Sequence, residues 1–154
     1  MSAPMTPADF DEAIRTIRAR DRRYAEGAYY FVREALDVTV KAFRKPRSGT
    51  ARHVTGQELL EGIRAHALVE FGPMAARVLA TWNLHRTEDF GAVVFHLVDA
   101  GVLGRTDEDR PEDFAHGYDF DTAFRAPFRP RRRRALARPA AHPAHPTERS
   151  PRKP

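Results

Sequence analysis

Arginine clusters are the residues of this sequence with the clearest chemical capacity, because a guanidinium group can pair with two phosphate oxygens at once. Residues 131–134 are four consecutive arginines, and residues 41–52 contain five basic residues and no acidic one. Such clusters bind nucleic acids through the phosphates, without reading the base sequence. The residues predicted to contact nucleic acid or a protein partner are Arg22, Arg23, Arg44, Lys45, Arg47, Arg131, Arg132, Arg133 and Arg134.

An acidic segment, residues 105–121, contains seven acidic residues and two arginines. A calcium-binding EF-hand loop that starts at Asp107 would need glycine at position 112 and glutamate at position 118. The sequence has Glu112 and Tyr118 at these positions. We therefore expect a solvated acidic loop here and no metal site.

The seven histidines do not show the spacing of metal ligands or of an acid–base pair. His53 lies next to a helix-capping motif and is predicted to be structural, while His142 and His145 allow at most an adventitious metal contact. No ligand-like spacing relates the other four, which are His66, His85, His96 and His116. The GxGxxG, GxxxxGK[ST], HExxH and GxSxG motifs are also absent. We therefore predict no catalytic residue, no cofactor, no metal ligand and no enzymatic activity.

The charge of the chain is divided between two regions. Residues 129–154 hold nine Lys or Arg, one acidic residue, six of the twelve prolines and Leu136 as the only large apolar side chain. Such a segment cannot bury enough apolar area to offset its loss of conformational entropy on folding. Residues 1–128 carry a net charge of −3. The sequence therefore predicts a globular domain over residues 1–128 and a disordered basic tail over residues 129–154.

Composition also indicates the cellular compartment. Cysteine is absent, which excludes disulfides and cysteine-ligated metals. No apolar run approaches the roughly 20 residues of a membrane helix, and the first residues lack the basic and apolar regions of a signal peptide. We therefore expect a cytoplasmic protein without a membrane partner.

Apolar residues at helical spacing predict about five helices, which would be residues 7–20, 22–43, 55–71, 73–83 and 88–100. Thr6, the Thr-x-x-Glu box at residues 55–58 and Thr87 are predicted to cap N-termini, because their hydroxyl groups can accept from free backbone N–H groups. Gly72 and Gly101 are predicted to end the third and fifth helices, since glycine tolerates the left-handed conformation found there.

Two short alternations after the fifth helix, Val102-Leu103 and Tyr118–Phe120, predict two strands. Three helices followed by strand, loop and strand is the element order of a winged helix. The fold class is therefore predicted as all-α, either a compact bundle of about five helices or a winged-helix-like fold with a small C-terminal β-hairpin. Residues 88–100 contain no Lys or Arg, which argues against base-specific reading of DNA by this helix.

Several aromatic residues have predicted positions. Tyr29 and Tyr30 cannot both face the same side of a helix, so one should lie in the core and the other should be partly exposed. Trp82 is predicted to be a core residue, although a recognition role is the alternative. Phe124 and Phe128 are expected to fold back onto the helical domain.

A set of distinctive strings spans residues 10–126: Arg23-Tyr24, YFVREAL at 30–36, HVTGQELL at 53–60, FGPM at 71–74, Trp82, TEDFG at 87–91, residues 98–103 and Tyr118-Asp119-Phe120. With these strings the chain resembles a small bacterial family found mainly in planctomycetes and verrucomicrobia. His96 stands where the family pattern has asparagine, and the tail from residue 129 is not part of that pattern. The resemblance implies one compact domain in a bacterial cytoplasm, and it implies no activity because the family has none assigned.

Two functional hypotheses remain after this reading. The first is a non-enzymatic interaction module, in which the helical domain docks an unknown protein partner and the basic tail adds nonspecific affinity for RNA or DNA. The second is a nucleic-acid- or ribosome-associated protein that binds mainly through basic residues. An enzyme of unknown type is the weakest alternative.

Overall fold

The computed structural model describes residues 6–43, 54–104 and 110–131, and these residues form α-helices and short helical turns without any β-strand. The predicted all-α class is therefore confirmed. The helices are α1 (Pro7–Arg20), α2 (Glu26–Phe43), α3 (Gly56–Phe71), α4 (Ala75–Thr81) and α5 (Thr87–Asp99). The short elements are 3-10 turns at Gly72–Met74, Pro111–Phe114 and Ala126–Phe128 and a π-helical turn at Asp121–Arg125.

Four helix ends lie where the sequence predicts them, two set by capping hydrogen bonds and two by glycines. The Thr6 hydroxyl accepts from the Asp9 N–H at 3.2 Å, and the hydroxyl at the start of the 55–58 box accepts from the backbone N–H three residues later at 3.1 Å. Gly72 and Gly101 have φ angles of 51° and 74°. Residues with a Cβ rarely adopt this left-handed region, so these glycines end α3 and α5 at low energetic cost.

Two predicted boundaries are wrong by a few residues. Helix α2 begins at Glu26 and not near residue 22, because the Asp21 carboxylate accepts from the Arg23 N–H at 3.0 Å and holds a turn there. The sequence predicts the fourth helix at residues 73–83. Helix α4 is shorter, Ala75–Thr81, because its predicted start belongs to the 3-10 turn at Gly72–Met74.

Thr87 does not cap α5, and that prediction is wrong. Thr87 is the first residue of the helix and is buried, and its hydroxyl accepts from the Gly117 N–H at 3.0 Å. The Asp89 carboxylate takes over the capping role, accepting from the N–H groups of His85 at 2.8 Å and Arg86 at 3.2 Å. Thr87 therefore joins the C-terminal segment to α5.

Helix α2 lies at the centre of the core, where Tyr29, Val32 and Ala35 are fully buried. Helices α1 and α5 each bury one apolar stripe, as their spacing predicts. These stripes consist of Phe10, Ile14 and Ile17 on α1 and of Phe90, Val93, Val94 and Leu97 on α5.

Helices α2 and α3 pack antiparallel, with Phe31 near the start of α2 against Phe71 at the end of α3 (ring centroids 5.5 Å apart). Further along the pair, Thr39 lies directly against Gly62. A Cβ atom added to Gly62 would be 1.8 Å from the Thr39 Oγ1 and 2.9 Å from its Cβ. The Thr39 hydroxyl donates to the Ala35 carbonyl at 2.6 Å, so this buried polar group is satisfied. Only glycine at position 62 allows the two helices to approach this closely.

The two strands predicted at Val102-Leu103 and Tyr118–Phe120 are absent from the structure, which has no strand in its described residues. The N–H groups of residues 102 and 103 both donate to the Leu97 carbonyl and close the end of α5. Phe120 stacks on Phe90 at a centroid distance of 5.3 Å. The winged-helix-like alternative is therefore not confirmed, and a helical bundle describes the fold.

The alternation that suggested a second strand instead brings aromatic rings together. Tyr118, Phe120 and Phe124 pack edge-on or tilted at centroid distances of 5.0–6.2 Å. Phe124 is fully buried, which confirms that it folds back onto the domain, whereas Phe128 remains 42 % exposed. A pair of strands needs backbone hydrogen bonds between two extended segments, and contacts between aromatic rings do not supply them.

The predicted domain boundary near residue 128 falls within the last described segment, where Arg129 forms an ion pair with Asp121. The tail from residue 132, most of the basic segment (residues 44–52) and the most acidic part of the loop (residues 105–109) lie outside the described residues. Within the ranges that are described, none of the helices is both long and apolar enough to cross a lipid bilayer.

The substitution Gly62→Ala is expected to lower the free energy of unfolding by about 1–3 kcal/mol, the usual cost of overpacking a dense interior. The higher helix propensity of alanine recovers at most about 1 kcal/mol, and rotation of Thr39 does not help because its Cβ is itself too close. Urea denaturation measures the difference. The control is Gly104→Ala, where the added Cβ meets no atom within 4 Å; equal stability of Gly62→Ala and wild type would contradict the close approach.

Candidate functional site

One face of the α2–α3 pair leaves large apolar side chains in solvent. Val38 is 46 % exposed, Phe43 37 % and Val69 82 %. All three line a groove of about 340 Å³ between the two helices. Single exposed apolar residues are common on proteins, but a contiguous patch of them marks an interaction surface. The remaining wall of the groove consists of Thr39, Ala42, Glu61, Gly62, Ala65 and His66.

Carboxylates border this α2–α3 groove. Glu61 forms an ion pair with Arg64 at 2.9 Å, and its hydrogen bond raises the pKa of that guanidinium. Glu34 lies one helical turn before Val38, and Glu70 is close to the far end of α3; both are exposed. In residues 6–43, 54–104 and 110–131, neither Glu34 nor Glu70 pairs with a Lys or Arg side chain.

His66 joins these two carboxylates. Its side chain is buried (8 % exposed), and its Nε2 atom has no hydrogen-bond partner although it is shielded from solvent. Glu34 Oε2 lies 3.6 Å from this nitrogen. One oxygen of Glu34, one oxygen of Glu70 and the imidazole nitrogen all lie within 4.8 Å of one another. An imidazole and two carboxylates are donors that divalent transition metals accept.

The sequence reading gave no ligand role to His66, so this cluster was missed. One signal was available, because His66 and Glu70 are four residues apart and therefore share a face of α3. The third member, Glu34, comes from another helix, and only the antiparallel packing of α2 on α3 brings it near. The stacking of His66 on Phe31 (5.5 Å, 19° between planes) fixes the direction of the imidazole.

A second polar cluster links α1, α2 and α5. The Tyr29 hydroxyl lies 2.9 Å from His96 Nδ1, and His96 Nε2 lies 3.4 Å from Asp21 Oδ2. Asp21 in turn pairs with Arg23 at 2.7 Å. The hydrogen bonds from Arg23 lower the pKa of Asp21 to about 2, burial raises the pKa of Tyr29 to about 12, and burial lowers the pKa of His96.

The order hydroxyl, imidazole and carboxylate in this Tyr29–His96–Asp21 chain is also the order of a catalytic triad. Here, however, Tyr29 is fully buried, so its hydroxyl has no path to a substrate. The neighbouring depression of about 200 Å³ contacts His96 and Asp21 but not Tyr29. The arrangement can therefore satisfy buried polar groups and hold three elements together.

The predicted contact arginines have different surroundings. Arg22 is exposed and shares a shallow depression of about 380 Å³ with Arg15 and Arg18. Arg23 is held by Asp21 and lies over the ring of Tyr24, at 5.4 Å, so much of its charge is already compensated. Arg131 is exposed at the end of the described chain. The other predicted contact residues, Arg44, Lys45, Arg47, Arg132, Arg133 and Arg134, lie outside the described residues.

The aromatic predictions are confirmed in part. Tyr29 is buried and Tyr30 is 42 % exposed, as two adjacent positions on one helix require. Trp82 is half-buried and packs against Phe31 and Phe71 at 5.7 Å from each ring. The structure therefore places Trp82 at the edge of the core.

Helix α5 presents carboxylates and no basic side chain other than a histidine. The Asp89 carboxylate accepts from the Tyr24 hydroxyl at 2.9 Å, and Glu88 accepts from the His116 N–H at 3.2 Å. These two carboxylates therefore bind groups of α2's N-terminal side and of the segment after Pro111, and the expectation that α5 does not read DNA stays a prediction.

No protein-family model, no curated protein and no solved structure matches this chain. The bacterial family resemblance therefore rests on the sequence strings alone and stays an expectation.

The wild-type free energy of unfolding is expected to fall as the pH drops below about 6.5, the ordinary pKa of histidine. Because burial lowers the pKa of His96 in the folded protein, the unfolded chain binds this proton more readily. The nearby charges act in opposite directions, since Asp21 and Asp99 favour the protonated imidazole whereas Arg23 opposes it. Urea denaturation between pH 8 and pH 5 measures this loss of unfolding free energy. The loss should be smaller in the variant His96→Gln.

The matched control for this pH dependence is His85→Gln, which replaces an exposed imidazole bonded to Asn83. This variant should lose stability with pH as the wild type does. Identical pH profiles for His96→Gln and wild type would show that His96 does not cause the loss.

Proposed function

We propose that the helical domain is a non-enzymatic interaction module that docks an apolar, basic helix of a partner protein in the α2–α3 groove. The observation that carries this proposal is the exposure of Val38, Phe43 and Val69 along one groove. Burying them in a complex would remove apolar surface from water, the main favourable term in most protein association.

The shape of the groove supports a helix as the occupant. The groove runs between two antiparallel helices, and a third helix can place one row of its side chains between such a pair. Amphipathic helices that bind apolar grooves do so with anchors spaced three or four residues apart. Small residues such as Ala42 and Ala65 leave room for these anchors.

Charge supports a basic partner. Residues 34–43 and 61–70 hold four acidic and two basic residues, and the pairing of Arg64 with Glu61 leaves three acidic residues and one basic residue. Exposed carboxylates of Glu34 and Glu70 would steer a cationic helix towards the groove and repel an acidic one.

The substitution Val69→Glu is expected to weaken partner binding at least about tenfold, because it places a charge where the groove has its most exposed apolar side chain. A photoreactive amino acid at position 69 or 38 would cross-link the partner in the native host, and mass spectrometry of the cross-linked peptide would give its sequence. An apolar, basic helical segment is the expected result. The control is Met74→Glu, which changes an exposed apolar residue that does not line the groove.

Three outcomes would contradict this docking proposal. One is a partner retained by Val69→Glu but lost by Met74→Glu, which would place the interface elsewhere. Another is a cross-link to the chain's own residues 132–154, which would make the groove an intramolecular site. The third is a cross-link to a second copy, accompanied by a dimeric mass in solution.

The second part of the proposal gives the basic tail a nonspecific affinity for RNA or DNA. Residues 129–154 have a charge that would release counterions from phosphates. The alternative function is a protein that associates with nucleic acid or ribosomes mainly through basic residues. Arg15 and Arg22, which share a surface depression, support it, whereas Arg18 in the same depression is paired with Glu26 at 3.3 Å.

Replacing Arg131, Arg132, Arg133 and Arg134 by Gln tests the contribution of the tail in a salt titration of RNA binding. The slope of log Kd against log salt should decrease by up to about 3, because four phosphate contacts are lost. Arg77→Gln, an exposed arginine on α4, is the control and should leave the slope unchanged within error. An unchanged slope in the tail variant would contradict the role of the tail.

A further inference from the structure

We propose that Glu34, His66 and Glu70 form a binding site for a divalent transition-metal ion of the Zn²⁺ class. This inference does not depend on the docking proposal, because it rests on three polar side chains and not on the apolar groove. The residues come from two helices whose relative position is fixed by the packing of Thr39 on Gly62.

The buried imidazole is the strongest observation. A nitrogen that is shielded from water and has no hydrogen-bond partner is costly to bury. His66 Nε2 is such an atom, and it points towards the carboxylate of Glu34 at 3.6 Å. Phe31 stacks on the ring and holds it in this direction. A metal ion bound at Nε2 would satisfy this nitrogen.

The distances agree with one shared ion. Zn²⁺ binds imidazole nitrogen and carboxylate oxygen at about 2.0–2.2 Å, so two ligand atoms in a tetrahedral site lie about 3.4 Å apart. The 3.6 Å separation of His66 Nε2 and Glu34 Oε2 is within a few tenths of that value. One oxygen of Glu70 lies within 4.8 Å of an imidazole nitrogen of His66 and of a carboxylate oxygen of Glu34. The exposed side chain of Glu70 can make the remaining adjustment by rotation.

Donor chemistry and charge select the class of ion. An imidazole ligand favours Zn²⁺, Co²⁺ or Ni²⁺, whereas Mg²⁺ and Ca²⁺ prefer sites made entirely of oxygen. Two carboxylates and a neutral imidazole would balance the charge of a divalent cation, so a bound ion would remove the attraction that Glu34 and Glu70 exert on a basic helix. With three protein ligands, a fourth position stays open for water or another ligand. His66 also lines the groove, so this position would be next to the docking surface.

The experiment uses the full chain with His142→Gln and His145→Gln, because these two tail histidines could bind metal independently. After removal of affinity tags and metals, Co²⁺ is titrated and followed by its visible absorption, and Zn²⁺ is then added as a competitor. We expect one ion per chain with a Kd of about micromolar or tighter. An excess of Mg²⁺ should not displace it.

Glu34→Gln and Glu70→Gln are each expected to weaken binding at least about tenfold, since each removes one charged ligand. Both residues are exposed, so these variants should fold, which circular dichroism can verify. His66→Gln should weaken binding further. The control is Glu12→Gln, which removes an exposed carboxylate from α1.

The proposal is overturned if the parent chain binds no Co²⁺ or Zn²⁺ in this range. It is equally overturned if Glu34→Gln and Glu70→Gln bind the ions as tightly as Glu12→Gln does, because the ions would then be held elsewhere. No partner protein is present in this titration. Failure of the metal site therefore leaves the docking proposal unaffected, and loss of docking in Val69→Glu leaves the metal site unaffected.

Discussion

The close packing of α2 on α3 at Thr39 and Gly62 is the contact on which the other features depend. It holds the helices near enough for His66 on α3 to lie beside Glu34 on α2. It also sets the width of the groove whose sides carry Val38 and Val69. A larger residue at position 62 would separate the helices and alter both features, so a glycine without any ligand contact controls the geometry of the surface.

The polar groups near the core divide into two kinds. In the cluster of Tyr29, His96 and Asp21, each group has a partner, and the result is a link between three elements. In contrast, the Nε2 atom of His66 has no hydrogen-bond partner, and its nearest carboxylate oxygen, on Glu34, is 3.6 Å away. Satisfied polar groups in a protein interior mainly specify one arrangement of the chain. An unsatisfied one points to a ligand, which is why the second cluster carries the metal proposal and the first does not.

Local sequence signals predicted the helical elements well, and long-range pairing was predicted poorly. Thr6 and the 55–58 box cap their helices because capping needs only residues three positions apart. Thr87 failed as a cap because its hydroxyl bonds Gly117, thirty residues away. The strand expected at Tyr118–Phe120 failed for a similar reason, since its aromatic rings found partners in Phe90 and Phe124.

The sequence by itself determined the all-α class, the approximate limits of five helices, the burial of one of the adjacent residues Tyr29 and Tyr30 and the division of charge along the chain. These properties depend on neighbours within one or two helical turns or on composition alone. Only the tertiary structure decided that His66 meets Glu34 and that three exposed apolar residues share one groove. Each of these sites joins side chains from two helices, and their alignment depends on how closely the helices pack, which no local pattern encodes.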